Sequence, residues 1–309
     1  MKNPLFYAKI LLFGEYGIIE NSRGLTVPFN FYKGALQFSE KPSEKEKSSN
    51  LSLQNFYNYL KSIEIPTAFS LDLEKFQQDI SKGMYFDSDI PQGYGVGSSG
   101  ALVAAIFEKY SIHKIAPETI KKEEIIALKN FFGLMESLFH GKSSGIDPLI
   151  CYMNIPLLIK SKTDIDRVGI PEENKQGKGA IFLINSGEVG ETEPMVKIFF
   201  DKLKNKGFRK TLKEEFIKYN NACIESFIER DFLPFFQNLK QLSTWALMHF
   251  KPMIPKRFIT VWEQGIKTNA YYLKLCGSGG GGYILGFAPD YSIAEPMLKQ
   301  FDKEVIYRF

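Results

Sequence analysis

Residues 91 to 105 read PQGYGVGSSGALVAA, with glycines at 93, 95 and 97. A glycine held inside structure costs roughly 0.5–1 kcal/mol relative to alanine, so three within five residues imply that something approaches the backbone closely. The apolar pattern that follows, from Ser98 to about Tyr110, predicts a buried helix. The loop and the first turn of that helix would offer free N–H groups and a partial positive charge, to which Ser98 and Ser99 add hydroxyls. An anionic phosphate suits such a place; the competing reading is a turn that caps the helix through a serine.

Two familiar nucleotide motifs share these parts, and neither fits. Gly95, Gly97 and Gly100 spell GxGxxG, but Pro91 to Tyr94 separate them from the preceding strand. After the helix comes SIHKIAPETIKKEE, where a dinucleotide fold needs a second buried strand. The GxxxxGK[ST] loop is absent, because no lysine follows Gly97 or Gly100.

The rest of the chain sets the frame. LFYAKILLFGEYGIIE and GLTVPFNFYKGALQF read as β structure, EKPSEKEKSSN (40 to 50) as an exposed, mobile loop, LSLQNFYNYLKSI as a helix and MYFDSDI as a strand ending at Pro91. Residues 116 to 141 predict one or two helices stopped by Gly141. The polar, Lys-rich stretch 160 to 179 is the best candidate boundary between two domains, 1–174 and 175–309. Beyond it come a strand (AIFLINSG), helical patterns over 191 to 267, two strands flanking a glycine run, a helix and a terminal strand. Strands and helices come in blocks, which makes the class α+β.

Composition excludes several functions. With 309 residues, 44% hydrophobic, the chain can bury a core, and a net charge of +4 is too small for a nucleic-acid footprint. No stretch approaches a membrane span, and Lys9 and Glu15 interrupt the apolar N-terminal run, which argues against a signal peptide. Cys151, Cys223 and Cys276 are far apart and form no CxxC pair. Reduced thiols in the cytoplasm are expected, without structural zinc and without nucleic-acid or membrane partners.

Two further places stand out. In MESLFHGKSSGID, Glu136 and His140 are four apart on one helical face, and Asp147 follows in what reads as a loop with Gly145. Each of these residues alone has an ordinary structural explanation: a solvated acid, a helix end, a turn. In KLCGSGGGGYILGF the glycines lie between strand-like segments, which disfavours a linker and points to close approach by another backbone or a ligand.

Taken together, AKILLFGEYGII (8 to 19), PQGYGVGSSGA (91 to 101) and KLCGSGGGG (274 to 282) resemble, in order and spacing, the three motifs of the GHMP kinases, a family of small-molecule kinases. The likeness is strongest to the mevalonate-kinase branch. Its Glu-x3-His-Gly-x2-Ser-Gly-x-Asp pattern is met by Glu136, His140, Gly141, Ser144, Gly145 and Asp147, and NSGEVGETEPMV is similar to its segment ending in Thr-x3-Val. Tyr16, Ala8 and Gly100 depart from the pattern, which has His, Gly and Ala there.

The resemblance implies a ribosomal-protein-S5-like N-terminal domain, a ferredoxin-like C-terminal domain and an active site in the cleft between them. It implies ATP and Mg²⁺ as cofactors and a small alcohol as substrate, mevalonate first and phosphomevalonate as the alternative, and it is compatible with a homodimer. Gly93, Gly95, Val96, Gly97, Ser98 and Ser99 would wrap the ATP phosphates. Ser99 and Glu136 would hold Mg²⁺. Asp147 would take the proton of the substrate hydroxyl, with Lys9 beside it stabilising the developing charge. Glu15, Tyr16, His140, Ser144, Gly145, Thr192, Gly279 and Gly280 would line the substrate side. A ligand sensor without turnover is the reading from another class, disfavoured by the intact Lys9, Glu136 and Asp147.

Overall fold

The computed structural model describes residues 4–309, except for the side chain of His140. The chain divides into two compact units. One comprises the chain through Lys9, Pro28–Gln92 and Gly97–Ile155; the other comprises Ile10–Val27, Gly93–Val96 and Pro156–Phe309.

Two long strands, β1 (Phe6–Phe13) and β2 (Gly24–Phe38), run from one unit into the other. In the first unit the later part of β2 pairs antiparallel with β3 (Met84–Ser88), from Gly34↔Ser88 to Phe38↔Met84. Five helices complete this unit: α1 (Glu44–Ser62), α2 (Leu73–Ser81), α3 (Ser98–Tyr110), α4 (Lys122–His140) and α5 (Ile146–Met153). Helix α3 is its centre. Val103, Ala104, Ile106 and Phe107 are all fully buried, and Phe107 meets Phe69, Phe131, Phe132 and Tyr152 edge-on. A helix apolar on all sides has no other place in a globular protein.

In the second unit the early part of β2 pairs with β4 (Leu157–Ser161), and β4 forms a hairpin with β5 (Asp164–Arg167). A second sheet follows, built from β6 (Ala180–Asn185), β7 (Tyr272–Leu275), β8 (Tyr283–Ala288) and β9 (Lys303–Arg308) in the order β7-β8-β6-β9, antiparallel throughout. Helices α6 (Thr192–Leu203), α7 (Lys206–Thr211), α8 (Ile217–Ile228), α9 (Phe232–His249) and α10 (Ile259–Thr268) lie between β6 and β7, and α11 (Tyr291–Met297) lies between β8 and β9. This is the strand order of a ferredoxin-like domain with an enlarged first crossover. Its core is aromatic, with Trp245 between Phe216 and Phe250 and Phe235 between Phe13, Phe227 and Phe287.

Three expectations are corrected. The segment 40 to 50 is not a loop: α1 begins at Glu44, because Ser43 and Glu46 form a reciprocal capping box that offsets the polarity of the run. The polar stretch from 160 onward contains β5, whose Ile165 is buried opposite Ile159. The helix ending at His140 starts only at Lys122, with Gly141 (φ +68°) at its C-cap. Among the described residues no helix is long and apolar enough to cross a membrane, and Cys151, Cys223 and Cys276 are buried thiols.

Candidate active site

In the first unit, β1 delivers Lys9 and α5 delivers Asp147, and their Nζ and Oδ2 atoms are 2.8 Å apart. The lysine is only 3% exposed, between buried Ala8 and Ile10, while the Asp147 side chain is 38% exposed. A buried ammonium thus faces a carboxylate that solvent, or a ligand, can still reach. Asp147 was expected in a loop; it stands in the first turn of α5, where an acid interacts favourably with the helix dipole. The glycine and proline around it do not break the helix. Gly145 is the N-cap at φ +73° and Pro148 lies in the first turn, where its missing N–H has no intrahelical partner to lose.

The start of α3 meets both members of this pair, and two glycines allow it. At Gly97, φ +84°, a Cβ would sit 2.8 Å from Lys9 Cγ; at Gly100 it would sit 2.7 Å from the Asp147 carbonyl carbon. Gly100 therefore lets α5 lie directly on α3.

Glu136 on α4 is the third charged group. It is 3% exposed and accepts hydrogen bonds from the Ser99 hydroxyl (2.8 Å) and from the Ser143 hydroxyl. Burial, and next the charge of Asp147, raise its carboxyl to about 7, against the opposing pull of the two hydroxyls and of Lys9. Ser143 was not foreseen. Its neighbour Ser144 is exposed, its hydroxyl accepting from Ile146 N–H at 3.4 Å. Ser98 is the first residue of α3 and half-buried. The side chain of His140 lies outside the described residues.

The second unit holds residues 93 to 96 and the third glycine motif. Gly93 and Gly95 have φ of +75° and +78°, and Val96 is buried. Gly93 O accepts from Gly190 N–H at 2.9 Å. A Cβ on Gly95 would lie 2.5 Å from the Cys276 carbonyl oxygen, and one on Gly282 would lie 2.6 Å from the Cα of Tyr94. The two glycine loops therefore touch backbone to backbone, through Gly277 and Gly282 rather than through Gly279 and Gly280, which face Met253 O and Met195. Thr192 is exposed at the start of α6, 3.4 Å from the hydroxyl of Ser278. Glu15 is buried in an ion pair with Lys274, a partner with no sequence signal of its own. Tyr16 is buried against Phe199 and Phe250, its hydroxyl donating to Ser278 O at 2.6 Å.

Comparison with known proteins bears on the fold. Residues 59–154 match the GHMP kinases N terminal domain family, and the fold is the two-domain α+β fold of the GHMP kinases. Among individual proteins, the mevalonate kinase of Pyrococcus horikoshii is 27% identical over 161 residues, 46% of this chain and 46% of that protein, so the match spans about half the length of this curated relative. The structure is similar to that of L. major mevalonate kinase in complex with R-mevalonate (TM-score 0.62, 14% identity, covering 97% of this chain and 90% of that one). It is equally similar to Streptococcus pneumoniae phosphomevalonate kinase in complex with phosphomevalonate and AMPPNP (TM-score 0.62, 13% identity, 99% and 100% covered).

Proposed function

We propose that this chain is an ATP-dependent kinase of a small alcohol, with mevalonate as the first candidate acceptor and 5-phosphomevalonate as its product. The observation that carries the reading is the Lys9–Asp147 pair, 2.8 Å apart and seated on the N-terminal turn of α3. Residues 1–174 would hold nucleotide and catalytic groups, with 175–309 as the C-terminal domain.

The substrate hydroxyl attacks the γ-phosphoryl group, its proton passes to the Asp147 carboxylate, and ADP leaves with the bridging oxygen. Lys9 stabilises the charge that builds on the attacking oxygen and the transferring group. The amides of 93 to 99 and the dipole of α3 hold the phosphates. The donor set fits Mg²⁺: Ser99 and Glu136 supply hard oxygens, and among the described residues no cluster of three His, Cys, Asp or Glu forms a closed metal cage. A cation that keeps waters and phosphate oxygens needs no more. When bound, it would neutralise charge on the phosphates, with Glu136 ionised to hold it.

Phosphomevalonate kinase is the second reading, supported by the equal structural likeness to that enzyme. Purified protein with Mg²⁺-ATP is tested for ADP release against mevalonate, phosphomevalonate, homoserine and galactose. Release with mevalonate alone establishes the first reading, and release with phosphomevalonate alone the second. Nucleotide binding without turnover on any acceptor would replace both with a sensor.

A further inference from the structure

The residues Glu15 and Tyr16 occupy the place where the family pattern leads one to look for acceptor contacts, yet both side chains are buried and both reach the same element. The Glu15 carboxylate pairs with Lys274 Nζ, at the strand end that leads into the third glycine motif, and both side chains are almost fully buried. Lys274 also donates to Leu275 O at 3.3 Å and lies over the Phe13 ring. The Tyr16 hydroxyl donates to Ser278 O, inside the motif, while its ring packs on Phe199 at 4.7 Å. Tyr16 holds φ +59°, a conformation that a bulky residue adopts only where its surroundings impose it.

We propose that Glu15, Tyr16 and Lys274 form a clamp that fixes loop 276–282 and, through it, the 93–95 turn, so that Tyr16 governs nucleotide affinity and does not contact the acceptor. The second half of the path is backbone contact within the same unit: Gly277 and Gly282 lie against Gly95 and Tyr94, and Tyr283 N–H donates to Tyr94 O at 3.4 Å. A displaced loop 276–282 therefore displaces the amides that would meet the phosphates. Burial, together with the Glu15 charge, pushes the Tyr16 phenol well above its ordinary range and keeps it a donor. The nucleotide half of the proposal rests on the kinase reading; the clamp itself does not.

Tyr16→Phe keeps the ring and removes only the tether. Two readouts are taken on the full chain. Hydrogen exchange of the ligand-free protein follows segment 277–282, where Gly280 N–H bonds Met253 O and Gly282 N–H bonds Glu188 O. Calorimetry measures the Kd for Mg²⁺-AMPPNP, alongside KM for whichever acceptor is turned over. The clamp requires faster exchange in 277–282 and a Kd raised roughly 3- to 10-fold, the scale of one neutral hydrogen bond, with acceptor KM within about twofold. Unchanged exchange overturns it, as does a raised acceptor KM at unchanged Kd. A wild type that binds no AMPPNP defeats the kinase reading instead, and exchange alone then decides the clamp.

Discussion

Lys9–Asp147 in the first unit and Lys274–Glu15 in the second share the same chemistry, yet Asp147 keeps 38% of its side chain exposed whereas Lys274 and Glu15 keep 5% and 6%. Exposure decides what each pair can do. A carboxylate open on one side can take a proton from a bound hydroxyl. A sealed pair can only hold its elements in place, and it does so at the cost of removing two charges from water. These two lysine–carboxylate pairs differ in access rather than in chemistry.

The largest expected effect falls on the sealed pair. Lys274→Met removes the Lys274 charge from beside buried Glu15 and should cost about 3–5 kcal/mol of stability, most of it recovered in the Glu15→Gln/Lys274→Met double variant. Urea unfolding measures this, and a single variant as stable as the wild type would erase the contrast. Lys9→Met should act the other way: about 10²- to 10³-fold lower kcat, with nucleotide affinity changed far less. Steady-state kinetics and calorimetry separate the two terms.

A smaller effect tests the loop contact in the second unit. Gly95→Ala forces a non-glycine residue into φ +78° with its Cβ 2.5 Å from Cys276 O, at about 1–3 kcal/mol for the conformation alone. Gly141→Ala has a similar φ, +68°, but nothing within 4 Å. Only the first should weaken Mg²⁺-AMPPNP binding; equal effects would mean that loop contact does not matter.

A separate test is a pH dependence. The Glu136 carboxyl is raised from 4.5 to about 7 by burial and by Asp147, so between those pH values the folded protein holds a proton that the unfolded chain releases. Stability of the ligand-free protein should therefore fall as pH rises through that window, and Glu136→Gln should flatten the slope. Mg²⁺ affinity should move oppositely, weakening as pH drops below about 7. Urea midpoints at several pH values check the first statement; a slope unchanged in Glu136→Gln contradicts it.

Much of this is legible in the sequence. The glycines at 93, 95 and 97 and the buried run of α3 carry local signals, whereas Lys9, Glu136 and Asp147 stand out through the family resemblance; the structure brings Lys9 to Asp147 and Ser99 to Glu136. Other parts were hidden for physical reasons. Helix α1 starts in a run too polar to show a buried face, betrayed only by Ser43 and Glu46. Helix α5 reads as a loop because Gly145 usually punctuates one, although a glycine at positive φ also suits a helix N-cap. Lys274 is 259 residues from Glu15, and no periodicity links them. Ser143 and Ser144 are indistinguishable in sequence; only the backbone decides which hydroxyl reaches Glu136.

The central claim, that the open pair performs the chemistry, is tested most directly by Asp147→Asn, assayed for turnover and for Mg²⁺-AMPPNP binding in the same preparation. Turnover should fall at least about 100-fold in kcat, the scale of a lost general base, with nucleotide bound nearly as in the wild type. Full turnover at unchanged KM would contradict it.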